Sequence, residues 1–154
     1  MRQITQKSHT QAYFCLIVSK MGPDSKPPRQ LERVLCVDDE EDLHAVIRIS
    51  LERLGGIQAR FCSDPQHAIA AAHEFRPDLI LLDYMMPVLD GPAVFKLLQA
   101  DPKLAGIPVV FLTAVMTGPG VRSLGTLGAA GVLIKPFDVL ELPRKLAAIW
   151  SALK

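Results

Sequence analysis

Four consecutive apolar residues, Leu79-Ile80-Leu81-Leu82, run straight into Asp83, and an irregular, proline-containing stretch follows as far as Asp90-Gly91. A short, unbroken apolar run with this punctuation predicts a strand buried on both faces, as in a parallel sheet. A carboxylate just past such a strand lies at the carboxyl edge, where open α/β sheets take their ligands. Asp83 is therefore a reactive-site candidate. The plainer reading, a solvated loop aspartate, depends on Asp83 standing alone among the strand ends.

The rest of the chain follows one grammar. Arg33 to Val37 predicts a first strand, which runs into the five acids Asp38 to Asp42. From Leu43 the apolar residues Leu43, Val46, Ile47, Leu51 and Leu54 keep helical spacing and stop at Gly55-Gly56. Ile57 to Phe61 reads as a second strand near an edge. Ser63 or Asp64 can cap the next helix, with Pro65 in its first turn. That helix is alanine-rich and ends before Pro77. Asp78 to Leu82 forms the third strand. Gly91 to Ala100 carries Val94, Leu97 and Leu98 at helical spacing. Ile107 to Leu112 is the fourth strand, ending at Thr113. Residues 117–130 should hold a helix, but five of them are glycine or proline, so it should be short or irregular. Val132 to Ile134 is the fifth strand, running into Lys135-Pro136-Phe137. Asp138 can cap a final helix from about Val139 to Leu153, whose first turns Pro143 should delay or distort. Five strands alternating with five helices predict an α/β fold, a doubly wound five-stranded parallel sheet in a three-layer sandwich.

Composition sets the bounds. The chain has 154 residues, 49% hydrophobic and 21% charged, with a net charge of +1. This suits one domain with a real core, and it gives no sign of a nucleic-acid stripe or a disordered acidic tail. Residues 1–30 differ, with five basic residues and one acid, and they end in Gly22-Pro23-Asp24-Ser25-Lys26-Pro27-Pro28. They read as a flexible N-terminal extension to a domain at 31–154, with Met21 a second possible start of translation. Leu104 to Val121 is uncharged and about as long as a membrane span. Gly106, Pro108, Gly118, Pro119 and Gly120 interrupt it, so a strand and loop explain it better than a membrane helix. Ala12 to Val18 is apolar but short, with no clear cleavage site, which argues against a signal peptide. The three cysteines show no pairing or metal spacing, and Cys36 and Cys62 read as small core residues. That pattern suits a reducing cytoplasm. The four histidines form no ligand pattern.

Asp83 does not stand alone. Asp38 and Asp39 follow the first strand, Thr113 the fourth and Lys135 the fifth, and in a parallel sheet all these ends share one edge. Three carboxylates there would repel one another unless a hard divalent cation such as Mg²⁺, which prefers oxygen ligands, joined them. Lys135 supplies a compact positive charge and Thr113 a hydroxyl donor. Metal, lysine and hydroxyl together suit the oxygens of a phosphoryl group, and a carboxylate among them can be the nucleophile that accepts it.

The blocks VLCVDDEEDL, LILLDYMMPVLDG, VVFLTA and VLIKPFD, in this order, resemble those of two-component response-regulator receiver domains. The resemblance covers roughly Arg33 to Leu153 and implies a flavodoxin-like fold. It also implies that Asp83 is the phosphoacceptor, that Asp39 ligates Mg²⁺ directly, and that Asp38 helps through water. The Met85 position would contribute a backbone carbonyl to the metal. Thr113 would bond a phosphoryl oxygen, Lys135 would pair with another, and Pro136 would fix the following turn, often through a cis bond. The implied donor is a phosphohistidine on a sensor kinase or a phosphotransfer protein.

Some positions depart from the family pattern. Val132 stands where the family often has an aromatic residue that swings inward on activation, so a threonine-and-aromatic switch would be muted or act through another side chain. Between Leu104 and Ile134 the only charge is Arg122. The face built from residues 104–134 and the final helix should therefore be apolar, suited to a downstream protein partner or a homodimer. Met85 and Val115, each two residues past a key position, are apolar and poorly suited to orient an attacking water. Slow loss of the phosphoryl group is expected. The chain stops soon after the final helix, which reads as a stand-alone receiver that catalyses its own phosphorylation and hydrolysis without being a turnover enzyme. Two alternatives remain: a degenerate receiver that binds partners without phosphorylation, and an aspartate-nucleophile phosphatase. The latter usually places nucleophile and acid/base two residues apart after its first strand, whereas Asp38 and Asp39 are adjacent.

Overall fold

The computed structural model describes residues 29–114 and 119–153; the extension expected at 1–30 lies, up to residue 28, outside the described residues. Five parallel strands form one sheet in the order β2-β1-β3-β4-β5. They are β1 (Arg33–Val37), β2 (Gln58–Cys62), β3 (Leu79–Asp83), β4 (Val109–Thr113) and β5 (Gly131–Ile134). β3 and β4 are buried at every residue, as their unbroken apolar runs require. β2 is an edge strand, as its weaker pattern suggests.

Among the described residues there are five α-helices: α1 (Glu41–Arg48), α2 (Ala68–Phe75), α3 (Gly91–Ala100), α4 (Pro119–Thr126) and α5 (Leu142–Ala152). Alternate strand residues face opposite sides of the sheet, so two cores form. On one side Ile47 and Leu51 of the first helical segment and Leu142 and Leu146 of α5 cover Cys36, Leu81 and Leu112. On the other, α2, α3 and α4 cover Leu35, Leu82 and Phe111 with residues such as Ala72, Val94 and Leu124. The three layers and the doubly wound parallel sheet match the sequence reading.

Three local features differ from it. After α1 the helix widens into a π-helical stretch, Ile49–Leu54, where the Gly55 N–H donates to Ser50 O across five residues. The wider turns carry Leu54 out to solvent and Ser50 inward, so Leu54 leaves the apolar face that regular spacing assigned it. The buried Ser50 hydroxyl donates to the Val139 carbonyl at 2.5 Å, which ties this turn to the segment after β5. The final helix begins only at Leu142, with Pro143 in its first turn. Asp138 holds the preceding turn by accepting from the Leu140 N–H at 2.8 Å, and so does not cap α5. Finally, the fold begins before residue 31. The Arg29 guanidinium pairs with the buried Asp78 at 2.7 Å, and its carbonyl accepts from the Trp150 indole at 2.7 Å. Asp64 caps the turn before α2 through the Gln66 N–H, as expected. Among the described residues no helix is long and apolar enough to cross a membrane.

Candidate functional site

The strand ends converge as the topology requires. Asp83 is the last residue of β3 and pairs in register with Leu112, so Thr113 lies one residue further along the same edge. Lys135 follows β5, and its N–H donates to the Thr113 carbonyl at 2.7 Å. Asp38 and Asp39 follow β1, with the Asp38 N–H bonded to Cys62 O at 3.1 Å. Asp38, Asp83 and Thr113 are all buried.

Lys135 Nζ holds the centre, 3.1 Å from Asp38 Oδ2 and 3.2 Å from Asp83 Oδ1. The other Asp38 oxygen accepts from the Glu40 N–H at 2.8 Å. Carboxylate oxygens of Asp38, Asp39 and Asp83 lie within 4.8 Å of one another. An all-oxygen donor set with one ammonium against three carboxylates fits a hard divalent cation. Burial, and then the neighbouring Asp38 charge, push the Asp83 carboxyl up to about 6 despite the opposing pull of Lys135 and a hydrogen bond from the Met85 backbone. Burial works against the Lys135 charge, but Asp38 and Asp83 outweigh it and hold the ammonium above its ordinary value.

The loop after β3 has the residues its path needs. Asp90 accepts from the Ala93 N–H at 2.9 Å and caps α3, with Pro92 in the first turn. Gly91 passes so close to the Asp83 carbonyl and the Tyr84 backbone that no Cβ fits there. The Met85 side chain is exposed, which leaves its backbone as the part near the site. The Lys135-Pro136 bond is cis, as the resemblance implies. Val132 is half-buried beside its register partner Phe111. Val115 lies outside the described residues.

The structure also brings in residues that the strand-end reading missed. Glu40 reaches Lys135 at 3.5 Å, and His44 Nε2 sits 2.6 Å from the Asp38 carbonyl while its ring packs on Phe61. Glu40 was visible within the acidic run. His44 could have been found from its place six residues after Asp38, on the first turn of α1.

The family profile described as Response regulator receiver domain matches residues 34–147. The DNA-binding response regulator MtrA of Mycobacterium tuberculosis is 37% identical over 117 residues, which cover 76% of this chain and 50% of that protein. The DNA-binding dual master transcriptional regulator RpaA of Synechocystis is 34% identical over 119 residues, covering 77% of this chain and 49% of that protein. This chain thus spans about half the length of the curated relatives it matches. Among solved structures, chemotaxis protein CheY4 of Vibrio cholerae superposes with a TM-score of 0.71 at 27% identity, covering 77% of this chain and 98% of that one. The receiver domain of Francisella response regulator 1452 gives 0.70 at 27% identity, covering 80% and 99%.

Proposed function

This chain belongs to the response regulator receiver family, and from that premise we propose that it is switched by transfer of a phosphoryl group onto Asp83. The observation that carries this reading is Lys135 Nζ held between buried Asp38 and Asp83 in a cluster of three carboxylates. The proposed donor is a phosphohistidine on a sensor kinase or phosphotransfer protein. An Asp83 oxygen forms the new O–P bond as the donor N–P bond breaks, and the departing imidazole takes up a proton from solvent. Mg²⁺, when held by Asp38, Asp39, Asp83 and the Met85 carbonyl, supplies positive charge for the phosphoryl oxygens. Lys135 keeps one charge on the same oxygens, and the Thr113 hydroxyl donates to another. Burial of the edge keeps bulk water from the acyl phosphate. The exposed, apolar Met85 side chain orients no attacking water, so self-dephosphorylation is slow, on a scale of minutes or longer. The chain thus acts on itself and is not a turnover enzyme.

Downstream, the proposed output is a change in partner binding through residues 104–134 and α5, with Leu127 and Ile134 exposed in the first and Leu140 and Leu153 exposed just beyond the ends of α5. The partner is a protein or a second copy of the chain. Light scattering that finds a monomer with and without a phosphoryl mimic would remove the second copy. The two described cysteines are free thiols, which suits work in the cytoplasm.

The test is phosphorylation with acetyl phosphate and Mg²⁺, read by intact mass, on wild type and Asp83→Ala. Added phosphoryl mass in wild type alone supports the acceptor. Absence of label in wild type, even with a phosphorylated kinase supplied, leaves a receiver that signals by binding only. Steady hydrolysis of a simple phosphomonoester would instead favour the phosphatase reading.

A further inference from the structure

His44 lies on the first turn of α1, but its ring reaches back past the start of that helix. Nε2 sits 2.6 Å from the Asp38 carbonyl oxygen. A carbonyl can only accept, so Nε2 is the donor. The ring is braced for this contact. It packs on Phe61 of β2 with centroids 5.0 Å apart and planes 35° from parallel, and the Arg48 guanidinium lies 4.6 Å from the centre of the same Phe61 ring. Arg48 is in turn paired with Glu52 at 3.5 Å. The His44 N–H donates to Glu40 O at 3.3 Å, so backbone and ring of one residue bracket the turn between β1 and α1.

The carbonyl that His44 holds belongs to the peptide joining Asp38 to Asp39. The two carboxylates of that pair are held very differently. Asp38 is buried, and its N–H is bonded to Cys62 O at 3.1 Å. One of its carboxylate oxygens accepts from the Glu40 N–H at 2.8 Å and the other from Lys135 at 3.1 Å. Asp39 is the less buried of the two, and among the described residues no hydrogen bond or ion pair ties its carboxylate down. Its direction therefore follows from its backbone. A peptide unit is planar, so holding the Asp38 oxygen holds the plane that carries the Asp39 nitrogen and Cα.

We propose that His44 is a positioning residue for the divalent-cation site: by donating to the Asp38 carbonyl it presets the Asp38–Asp39 peptide, and so aims the Asp39 carboxylate into the cluster it forms with Asp38 and Asp83. The inference rests on the proposed function, in which these carboxylates hold Mg²⁺. Without the donor, the carbonyl can turn to water and the peptide plane turns with it. Asp39 then samples directions outside the cluster, and part of the free energy of cation binding goes into ordering it. Asp38 and Asp83 stay in place, because Lys135 holds both. The expected defect is in affinity for the cation, with phosphoryl transfer intact once the site is filled.

The test is isothermal calorimetry of Mg²⁺ with the full chain at one fixed pH, joined to acetyl phosphate labelling read by intact mass over a range of Mg²⁺ concentrations. His44→Leu keeps an apolar side chain against Phe61 but has no donor, whereas His44→Gln keeps an N–H donor of similar reach. Circular dichroism checks that each variant is folded at the assay temperature. His44→Leu should bind Mg²⁺ about 10-fold more weakly and need about 10-fold more of it for half-maximal labelling, with a labelling rate at saturating Mg²⁺ within about twofold of wild type. His44→Gln should recover most of the affinity. A residue that only packed the turn would give neither that rescue nor a shift in half-saturation at constant saturated rate. Phe61→Leu removes the ring that braces His44 and should weaken Mg²⁺ binding about threefold, which tests the same contact where His44→Leu does not fold. Unchanged Mg²⁺ affinity in His44→Leu or in Phe61→Leu, no recovery in His44→Gln, or a fall in the saturated rate at unchanged half-saturation would each overturn the inference. Wild type that binds no Mg²⁺ would remove the cation site itself and the role of His44 with it. Wild type that binds Mg²⁺ but does not label would remove the phosphoryl-transfer reading, while the affinities of the variants would still decide the role of His44.

Discussion

Replacing Asp83 with Asn should stabilise the metal-free protein at neutral pH. Asp83 is 5% exposed at its side chain, and burial with the nearby Asp38 charge raises its pKa to about 6. Moving a carboxyl from about 4 to about 6 corresponds to about 3 kcal/mol against the charged form. Because the folded value lies above the unfolded one, the protonated carboxyl stabilises the fold fully below about pH 4, and that contribution is lost as pH rises through about 6. Asn has no charge to lose. The variant and wild type should therefore be nearly equal in stability near pH 4 and diverge to about 3 kcal/mol in favour of Asn at neutral pH. Urea unfolding in the presence of a chelator, across this range, measures the difference at each pH and cancels groups common to both proteins. Adding Mg²⁺ should then raise wild type and narrow the gap, since only a species that binds the folded state more tightly stabilises it. A flat difference across pH, or a wild type more stable than the variant at neutral pH without metal, would refute this account of the site.

Lys135→Ala removes the cation between Asp38 and Asp83, and it should lower metal-free stability by about 3 kcal/mol at neutral pH and slow acetyl phosphate labelling about 100-fold. Unfolding curves and time-resolved intact mass read the two effects separately. Val88 has φ 70 at the centre of a three-residue turn closed by the Leu89 N–H on Pro87 O at 2.8 Å, a conformation unsuited to a β-branched residue. Val88→Gly should raise stability by about 1 kcal/mol in denaturant titration. At the opposite edge of the sheet, Asp78 accepts from the Glu32 N–H at 3.1 Å, the Arg33 N–H at 3.0 Å and the Arg29 guanidinium. Asp78→Ala should cost about 2 kcal/mol of stability while leaving the labelling rate of Asp83 unchanged.

The edge that carries Asp38, Asp39, Asp83, Thr113 and Lys135 was legible because it needs only local signals. Each residue follows an apolar run, and parallel strands put such ends on one side. The π-helical turn was not legible, because apolar spacing from Leu43 to Leu54 fits a regular helix equally well. What decides it is the long-range fit of Ser50 against Val139, 89 residues away. The same holds for Asp78, which reads as the start of a strand but serves as the acceptor that ties down Arg29 from 49 residues away. Tyr84 illustrates a third limit. Its place next to Asp83 is plain in the sequence, but its fit against Gly120 depends on how α4 approaches the sheet edge.

The instability assigned to ionised Asp83 and the reactivity proposed for it have one cause. Desolvation that raises a carboxylate's proton affinity also leaves its oxygens less well solvated, hence more available to an electrophilic phosphorus. Lys135 opposes this only in part, because it is shared with Asp38 and Glu40. A second cation on Asp83 would stabilise the fold further but would also withdraw the charge proposed to attack. Substitutions that neutralise the edge should therefore gain stability and lose labelling together. The Asn variant is the limiting case, with the largest gain and no acceptor. A single half-buried lysine among three carboxylates leaves the edge anionic enough to suit a divalent cation and, on the proposed function, Asp83 basic enough to accept a phosphoryl group.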